Sequence, residues 1–473
     1  MTLPLNGIKV IEFSHMVMGP CAGLMFADLG AEVIKVEPIG GDKTRRLRGA
    51  GAGYFPMYNR NKKSLSINLK SDAGKNAVQE LIKTADIFIE NFRPGALDKL
   101  GFGYAELSEL NPRLIYVSEK GFLDGPYSHR TALDEVTQMM GGLAYMTGPP
   151  GRPLRAGTSV VDITGGMFGA IGALAALNER HITGKGKHIS AALYETTAFL
   201  VGQHMAQKAV TGSPAAPMPA RTSSWAIYQL FDTSDNEQVF VGCVSDGQWK
   251  ILCQAFDLED LLDDPDLTEN RDRVINKDRF LPQIIEKFKS MTKVELMEKI
   301  ENLGLPFAPI GKPEELFDDP HLNTGNGLLD MEMEDGERCK LPALPISLDG
   351  QQPALQLDPP KAGEHTEEIL GSLGLDLRAL KREGVIELNI KYSRSPVFFQ
   401  LSVLMPLYEK IDGTYIRRLI TFQGIGSTNA SRNIAFQISP RNSRIQHPDG
   451  IWQFRKCVAI PIPKIAKAQS RGV

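Results

Sequence analysis

The chain is poor in the features that mark disulfide-rich, metal-binding and nucleic-acid-binding proteins. Its five cysteines are Cys21, Cys243, Cys253, Cys339 and Cys457, and none of them lies in a CxxC pair or at another metal-ligand spacing. An odd and sparse set of cysteines is typical of a reducing compartment, so we expect a cytoplasmic protein without a metal site. The formal net charge is only −3, so we expect no nucleic-acid partner.

Long hydrophobic runs are also scarce. The most apolar run, Gly165 to Leu177, is shorter than the ~20 residues that a membrane-spanning helix needs. The amino terminus has no basic segment followed by an apolar one, which argues against a leader. We therefore expect no membrane partner.

At 473 residues the chain exceeds one typical hydrophobic core, which predicts two or more domains.

Strand-like and helix-like segments alternate through the first 200 residues. The strand-like segments include GIKVIEF, AEVIKVE, SLSINLK, ADIFIENF and RLIYVSEKGF. This alternation predicts an α/β fold with a Rossmann-like parallel sheet covered on both faces. Glu37 stands where a ribose-binding acid would lie, yet the loop after the first strand lacks the G-x-G-x-x-G fingerprint. A nicotinamide-dependent dehydrogenase is therefore a weaker alternative.

Changes in composition predict the domain boundaries. We expect a large Rossmann-like domain over residues 1–200, a linker over 201–225 and a small α+β domain over 226–325. Residues 326–390 would form a second linker and return to the large domain. Residues 391–473 carry 13 Lys+Arg against 3 Asp+Glu and form a basic C-terminal extension of unknown role, which is either an interaction arm or a poorly ordered appendage.

One acidic side chain precedes the most apolar segment, in the sequence GTSVVDITGG. Thr164 or Gly165 would cap a helix that begins near Met167, so Asp162 would lie at or just before its N-terminus. Backbone N–H groups and the helix dipole at that position favour the carboxylate form. The local pattern leaves two interpretations of Asp162, a helix cap or a functional carboxylate.

The order and spacing of several motifs resemble the class III coenzyme A transferase family, also called the CaiB/BaiF family. The matching segments span residues 3–388 and include NRNKKSLSINLK, ADIFIENFRPGALDKLGFGY, GTSVVDITGGMFG and TGKGKHISAALYE. The resemblance implies a large Rossmann-like domain, a small α+β domain and a homodimer of two interlocked, ring-like subunits. It also implies an enzyme that moves coenzyme A from an acyl-CoA donor, with succinyl-CoA favoured, to a carboxylic acid acceptor, without a tightly bound cofactor.

The resemblance places the family's nucleophilic aspartate on Asp162. The positions assigned to coenzyme A or substrate are His15, Val17, Met18, Ile67, Asn68, Leu69, Lys70, Asn91, Phe92, Arg93, Lys99, Arg130, Thr131 and Asp134. Thr131 stands where the family often has a phosphate-binding lysine. We therefore expect Arg93, Lys99 and the basic loop 43–48 to carry more of the phosphate contacts.

A carboxylate suits this chemistry because it can become an acyl anhydride and then a thioester, whereas a serine ester is too stable to return the acyl group. We expect backbone N–H groups of Gly141-Gly142 or Gly165-Gly166 to stabilise the oxyanions. Arg221 could pair with a second carboxylate of the acceptor, or be a surface linker residue.

Two further alternatives remain. An α-methylacyl-CoA racemase of the same superfamily would have a histidine where this chain has Leu133, so it would lack one of its two bases. A non-catalytic acyl-CoA-binding protein would bind coenzyme A without exchange, and Asp162 would be dispensable.

Overall fold

Six parallel strands form the central sheet. The computed structural model of the protein describes residues 3–221, 223–387, 399–411, 414–426, 446–447 and 450–451. The strands are β1 (Lys9–Phe13), β2 (Glu32–Glu37), β3 (Lys62–Ser66), β4 (Ile87–Glu90), β5 (Ile115–Lys120) and β6 (His188–Ala192). Their order is β3-β2-β1-β4-β5-β6, which is the order of dinucleotide-binding folds and confirms the predicted α/β sheet. In such sheets ligands bind at the carboxyl ends of the strands where the order reverses, which is here between β1 and β4.

Helices cover both faces of this sheet. They are α1 (Met18–Asp28), α2 (Tyr54–Tyr58), α3 (Asp72–Ile82), α4 (Tyr104–Leu110), α5 (Asp134–Met140), α6 (Leu143–Thr147), α7 (Val160–Thr183), α8 (Leu193–Leu200) and α9 (Gly202–Thr211). Alternate strand residues point to opposite faces. Val10 therefore packs in the core with α1 and α7, and Ile11 in the core with α3 and α4. Helix α9 lies within the predicted linker 201–225.

Helix α7 differs from its prediction in where it begins. It starts at Val160, with Ser159 at the N-cap position, so Asp162 is its third residue. The predicted cap at Thr164 or Gly165 is wrong: the Thr164 hydroxyl donates a hydrogen bond to the Val160 carbonyl inside the helix. The earlier start places Asp162 in the first turn, on a regular element that packs against the sheet.

The faces of α7 also have different chemistry. Its inner face packs small residues, among them Ala170, Ala173 and Ala176, against the sheet. Its outer face carries Met167, Ile171 and Leu174, which are exposed. By length and mean hydropathy (1.7) α7 could cross a membrane. The helix is longer than the apolar run Gly165 to Leu177 that the sequence analysis considered. Length and composition are weak evidence here, because a core helix meets the same criteria.

The rest of the first compact unit, Met1–Asn389, has a separate hydrophobic core around Trp249, Phe280 and Phe288. Its elements are the antiparallel strands β7 (Ile227–Asp232), β8 (Gln238–Cys243) and β9 (Phe307–Pro309), the helices α10 (Asp246–Ala255), α11 (Asn270–Ile275), α12 (Lys277–Lys289), α13 (Lys293–Asn302) and α14 (Pro320–Thr324), and the hairpin β10 (Leu328–Glu332) and β11 (Arg338–Pro342). Helices α15 (Thr366–Ser372) and α16 (Leu377–Arg382) return to the core that contains Ile11. The predicted domain boundaries stay predictions.

The second unit, Ile390–Val473, contains one long and one short antiparallel pair among its described residues. Strand β12 (Phe399–Ile411) pairs with β13 (Thr414–Gly426), and β14 (Gln446–His447) pairs with β15 (Gly450–Ile451). The other residues of the predicted basic extension, and all of its side chains, lie outside the described part of the chain. Its role therefore stays open.

Candidate active site

The loops that follow β1 and β4 meet where the strand order reverses. The His15 backbone N–H donates to Asn91 Oδ1 (3.0 Å), and Asn91 Nδ2 donates to the His15 carbonyl (2.8 Å). The His15 ring lies 5.3 Å from the ring of Phe92, centroid to centroid. Burial lowers the pKa of His15, with Lys35 adding to this effect and Asp42 and Asn91 opposing it. Three of the predicted coenzyme A positions therefore lie together at the ligand-binding edge of the sheet.

The other predicted positions form two groups that differ in exposure. Val17 and Met18 are buried at the start of α1, and the segment 67–70 follows β3 at the same edge of the sheet, with Ile67 buried and Lys70 exposed. The second group is exposed and comprises Arg93, Lys99, Arg130 and Thr131. Within it, the Arg130 guanidinium lies 4.3 Å from the ring centroid of Tyr127.

The predicted phosphate role of the basic loop 43–48 is wrong for one of its residues. The side chain of Arg45 is buried and makes two hydrogen bonds to Glu37, at 2.8 and 2.6 Å, and one to the Pro360 carbonyl. The same contacts occupy Glu37, which also accepts from the Ser64 hydroxyl. Arg45 is thus an internal partner of the acid that would bind a ribose in a nicotinamide enzyme, which weakens the dehydrogenase alternative further.

Asp134 caps α7 from a different helix. Its Oδ2 accepts hydrogen bonds from the backbone N–H groups of Val161 (2.9 Å) and Asp162 (3.2 Å). These are two of the N–H groups that an α-helix leaves without partners in its first turn. Its Oδ1 accepts from Gln138 Nε2 (2.6 Å), and Gln138 Oε1 accepts from the Ala156 N–H (2.9 Å). Asp134 therefore fixes the main chain of Asp162 directly.

The Asp162 side chain is left available for chemistry. Among the described residues its carboxylate accepts no hydrogen bond, so the interpretation of Asp162 as a helix cap is wrong and Asp134 has that role. The pKa of Asp162 is raised to about 7, chiefly by burial and also by the charge of Asp134, against the opposing charge of Arg155. The expected preference for the charged form is thus outweighed, because burial penalises a carboxylate more than the helix N-terminus stabilises it.

Glycines let α1 and α7 approach each other beside Asp162. A Cβ on Gly166 would lie 2.5 Å from the Met18 carbonyl oxygen and 3.2 Å from the Ala22 nitrogen. Gly165 and Gly166 lie inside α7, where their N–H groups bond within the helix. Their predicted role as oxyanion donors is therefore wrong. The Gly141 N–H is also occupied, because it donates to the Thr137 carbonyl (2.8 Å).

A buried cluster of charges lies beneath the site and was missed by sequence reasoning. Glu12 is fully buried between Lys35 (3.3 Å) and Lys62 (2.7 Å). Glu119 is buried nearby, and neither of its carboxyl oxygens has a hydrogen-bond partner among the described residues. Burial holds the pKa of Glu119 well above its usual range, and the charges of Glu12, Glu90 and Asp162 add to this effect.

The sequence does contain a signal for this cluster. Ile115, Val117 and Glu119 alternate along β5 and share one face, so the acid continues a buried apolar row. Among the described residues, no group of three His, Cys, Asp or Glu side chains is arranged to hold a metal ion. Arg155 was also missed, because it does not belong to the motifs that carry the resemblance. Gln138 begins one of the matching segments, QMMGGLAYMTG, but its contacts with Asp134 and Ala156 were not foreseen.

Comparisons with known proteins agree with this geometry. Residues 5–366 match CoA-transferase family III. The chain is 34% identical to the succinate–glutarate CoA-transferase of Agrobacterium fabrum, over 78% of this chain and 96% of that protein. It is 36% identical to the acetyl-CoA:oxalate CoA-transferase of Acetobacter aceti, over 69% of this chain and 85% of that protein. A crystal structure of a CaiB/BaiF family protein from Brucella suis superposes with a TM-score of 0.69 at 32% identity, covering 79% of this chain and all of that one. The resemblance is confirmed: the chain belongs to CoA-transferase family III, the class III CoA-transferases.

Proposed function

We propose that the enzyme moves coenzyme A from succinyl-CoA to a dicarboxylic acid through covalent intermediates on Asp162. The observation that carries this proposal is the Asp162 carboxylate, which is half-buried and accepts no hydrogen bond among the described residues, while its backbone N–H is held by Asp134. The relatives named for glutarate and oxalate support a dicarboxylic acceptor. The predicted positions at the carboxyl ends of β1, β3 and β4 would bind coenzyme A.

The exchange takes four steps. An Asp162 oxygen attacks the donor thioester, so that a C–O bond forms, the C–S bond breaks, and a mixed anhydride and CoA thiolate result. The thiolate attacks the aspartyl carbonyl carbon, forms an aspartyl-CoA thioester and releases the donor acid as a carboxylate. The acceptor carboxylate then attacks this thioester and forms a second anhydride and thiolate. Attack of the thiolate on the acceptor acyl carbon releases the new acyl-CoA and restores Asp162, with no net change in protons.

The site gives each step a physical basis. Loss of water from around Asp162 makes the carboxylate a stronger nucleophile than one in bulk solvent, since its charge is poorly solvated. The fixed main chain limits the positions that the attacking oxygen can take, which lowers the entropy cost of each attack. The racemase alternative has no support, because Leu133, at the position of the second base, is an exposed apolar side chain.

Trapping of the covalent intermediate tests this function. The protein is incubated with succinyl-CoA, treated with hydroxylamine or borohydride, and analysed by intact-protein mass spectrometry and peptide mapping. We expect the modification on the peptide that contains Asp162, and none in D162N. D124N, which changes an exposed aspartate, is the matched control and should be modified like the wild type. No adduct with succinyl-, acetyl- or formyl-CoA, despite bound coenzyme A, would contradict the proposal and favour a non-catalytic binding protein.

We also propose that the enzyme is a homodimer. Helices α7, α8 and α9 carry an apolar helical surface of exposed side chains, namely Met167, Ile171, Leu174, Phe199 and Met205. Exposed apolar surfaces of this kind mark association sites, and a second copy is the occupant implied by the family resemblance. The interlocked form, the cytoplasmic location, the lack of a tightly bound cofactor and the absence of membrane and nucleic-acid partners stay predictions.

A further inference from the structure

The loop before α7 brings a cation next to the nucleophile. Arg155 Nε donates to the carbonyl of the adjacent Ala156 (3.2 Å). Its Nη2 lies 3.5 Å from Asp134 Oδ1, and its Nη1 lies 3.8 Å from Glu135 Oε2. These two ion pairs are long, and the side chain is 35% exposed. A guanidinium has five N–H donors in a rigid fork, so most of the Arg155 fork faces solvent or weak partners.

Asp134 does not depend on Arg155 for its partners. Both of its oxygens already accept shorter hydrogen bonds, from the N–H groups of Val161 and Asp162 and from Gln138. The arrangement of the nucleophile therefore remains complete when the Arg155 fork turns away. Arg155 is close enough to Asp162 for its charge to lower the pKa of that carboxyl. A cation with weak partners beside a nucleophile is suited to bind an anionic substrate group.

We propose that Arg155 binds the second, non-reacting carboxylate of a dicarboxylic acid substrate while Asp162 reacts at the first; this rests on the proposed function. The planar fork matches a carboxylate through two parallel hydrogen bonds. Binding of the reacting carboxylate by Arg155 would withdraw charge from the group that has to attack the aspartyl-CoA thioester. Binding of the non-reacting carboxylate carries no such cost. Arg155 would thus determine which acids the enzyme accepts.

Two other arginines serve as comparisons. Arg152 lies in the same loop and Arg221 lies before the small antiparallel sheet, and both are exposed. Neither makes an ion pair with Asp134 or Glu135 among the described residues. Arg152 therefore controls for loss of one positive charge near the site, and Arg221 is the rival candidate that the sequence suggested.

The test compares two acceptors that differ in the second carboxylate, glutarate and the five-carbon monocarboxylate pentanoate, with the purified full-length enzyme and succinyl-CoA. In an exchange through a covalent intermediate, kcat/KM for the acceptor is independent of the donor. We expect R155Q to lower kcat/KM for glutarate by about 10- to 100-fold but to lower kcat/KM for pentanoate by less than about 3-fold. For glutarate, R155K should lie between R155Q and the wild type. R152Q should leave kcat/KM for both acceptors unchanged.

The possible outcomes separate this inference from the proposed function. The inference would be overturned if R155Q lost kcat/KM equally for both acceptors or not at all. It would also be overturned if R221Q showed the selective loss instead, or if the wild type did not favour glutarate over pentanoate. With acetyl-CoA, which has no second carboxylate, R155Q should still form the adduct on the Asp162 peptide. That result shows that the variant is folded. Absence of an adduct from the wild type would instead remove the proposed function itself.

Discussion

At the scale of single residues, the proposed mechanism makes the reaction depend on the charge state of Asp162. The nucleophile has to be ionised, and burial raises its pKa to about 7. We therefore expect kcat/KM for the donor to rise with pH and to level off above an apparent pKa near 7. Removal of the Asp134 charge in D134N should shift this apparent pKa downwards, and removal of the Arg155 charge in R155Q should shift it upwards. Steady-state rates between pH 5.5 and 9 measure both shifts; an unchanged profile in both variants would contradict the assignment.

The buried Glu119 carboxyl gives a prediction about stability. Its pKa is raised in the folded protein, so the folded state holds a proton that the unfolded chain loses above about pH 4.3. Stability is therefore lost as the pH rises above that value, by up to about 1.4 kcal/mol per pH unit. E119Q keeps the shape without this loss. We expect its advantage in free energy of unfolding over the wild type to grow from pH 5 to pH 7.

Chemical denaturation of E119Q at the two pH values provides the measurement. E109Q is the control, because Glu109 is exposed. Its substitution should change the free energy of unfolding only slightly, and by the same amount at both pH values. A constant difference between E119Q and the wild type would mean that Glu119 ionises normally in the folded protein.

At the scale of elements, the close crossing of α1 and α7 holds the nucleophile in place. In G166A the new methyl group would lie 2.5 Å from the Met18 carbonyl oxygen, a backbone atom that has little freedom to move. We expect a loss of about 1–3 kcal/mol of stability and a lower kcat, since α7 carries Asp162. G202A is a suitable control, because nothing lies within 4 Å of a Cβ at that position of α9. Thermal unfolding and steady-state kinetics of both variants check this, and unchanged kinetics in G166A would show that the crossing does not position Asp162.

Sequence patterns predicted the elements better than their ends. Short, largely apolar segments identified β1 and β2, because the strands of a parallel sheet are buried on both faces and leave a strong local pattern. The start of α7 was placed too late, because its cap is not local: Asp134 lies 28 residues upstream of Asp162 and supplies the missing acceptor. The charge cluster around Glu12 was missed for the same reason, since its partners come from separate strands and meet only in the fold.

At the scale of the whole molecule, the chain closes on itself across a long sequence separation. The Ser66 N–H at the end of β3 donates to the Thr366 hydroxyl (3.1 Å), and the Asn68 N–H donates to the Val385 carbonyl (2.8 Å). No local pattern predicts these particular contacts, although the sequence did predict that residues 326–390 return to the large domain. Family membership was therefore within reach of the sequence, and the assignment of Asp162 as the nucleophile stays a proposal. The contacts of Arg155 and Gln138 with Asp134 exist only in the folded chain.

Association of two chains is the prediction at this scale. In I171E a charge replaces an apolar side chain that is 57% exposed on the apolar helical surface. Burial of that charge in an interface is costly, so we expect dissociation or a weaker dimer by size-exclusion chromatography with light scattering. I275E is the control, because Ile275 is exposed on α11, outside this surface. A monomeric wild type, or equal behaviour of the two variants, would contradict the proposed dimer.

The hydrogen bonds from Asp134 to the first turn of α7 bear on which partner would move in the proposed exchange. Because the backbone amide of Asp162 is held by Asp134, the aspartyl group can move only about its own side-chain bonds during the four steps. The sulfur must then travel, first away from the donor acyl carbon to the enzyme and later back to the acceptor. The larger movement would therefore belong to the flexible thiol arm of coenzyme A, while the main chain of the protein stays fixed.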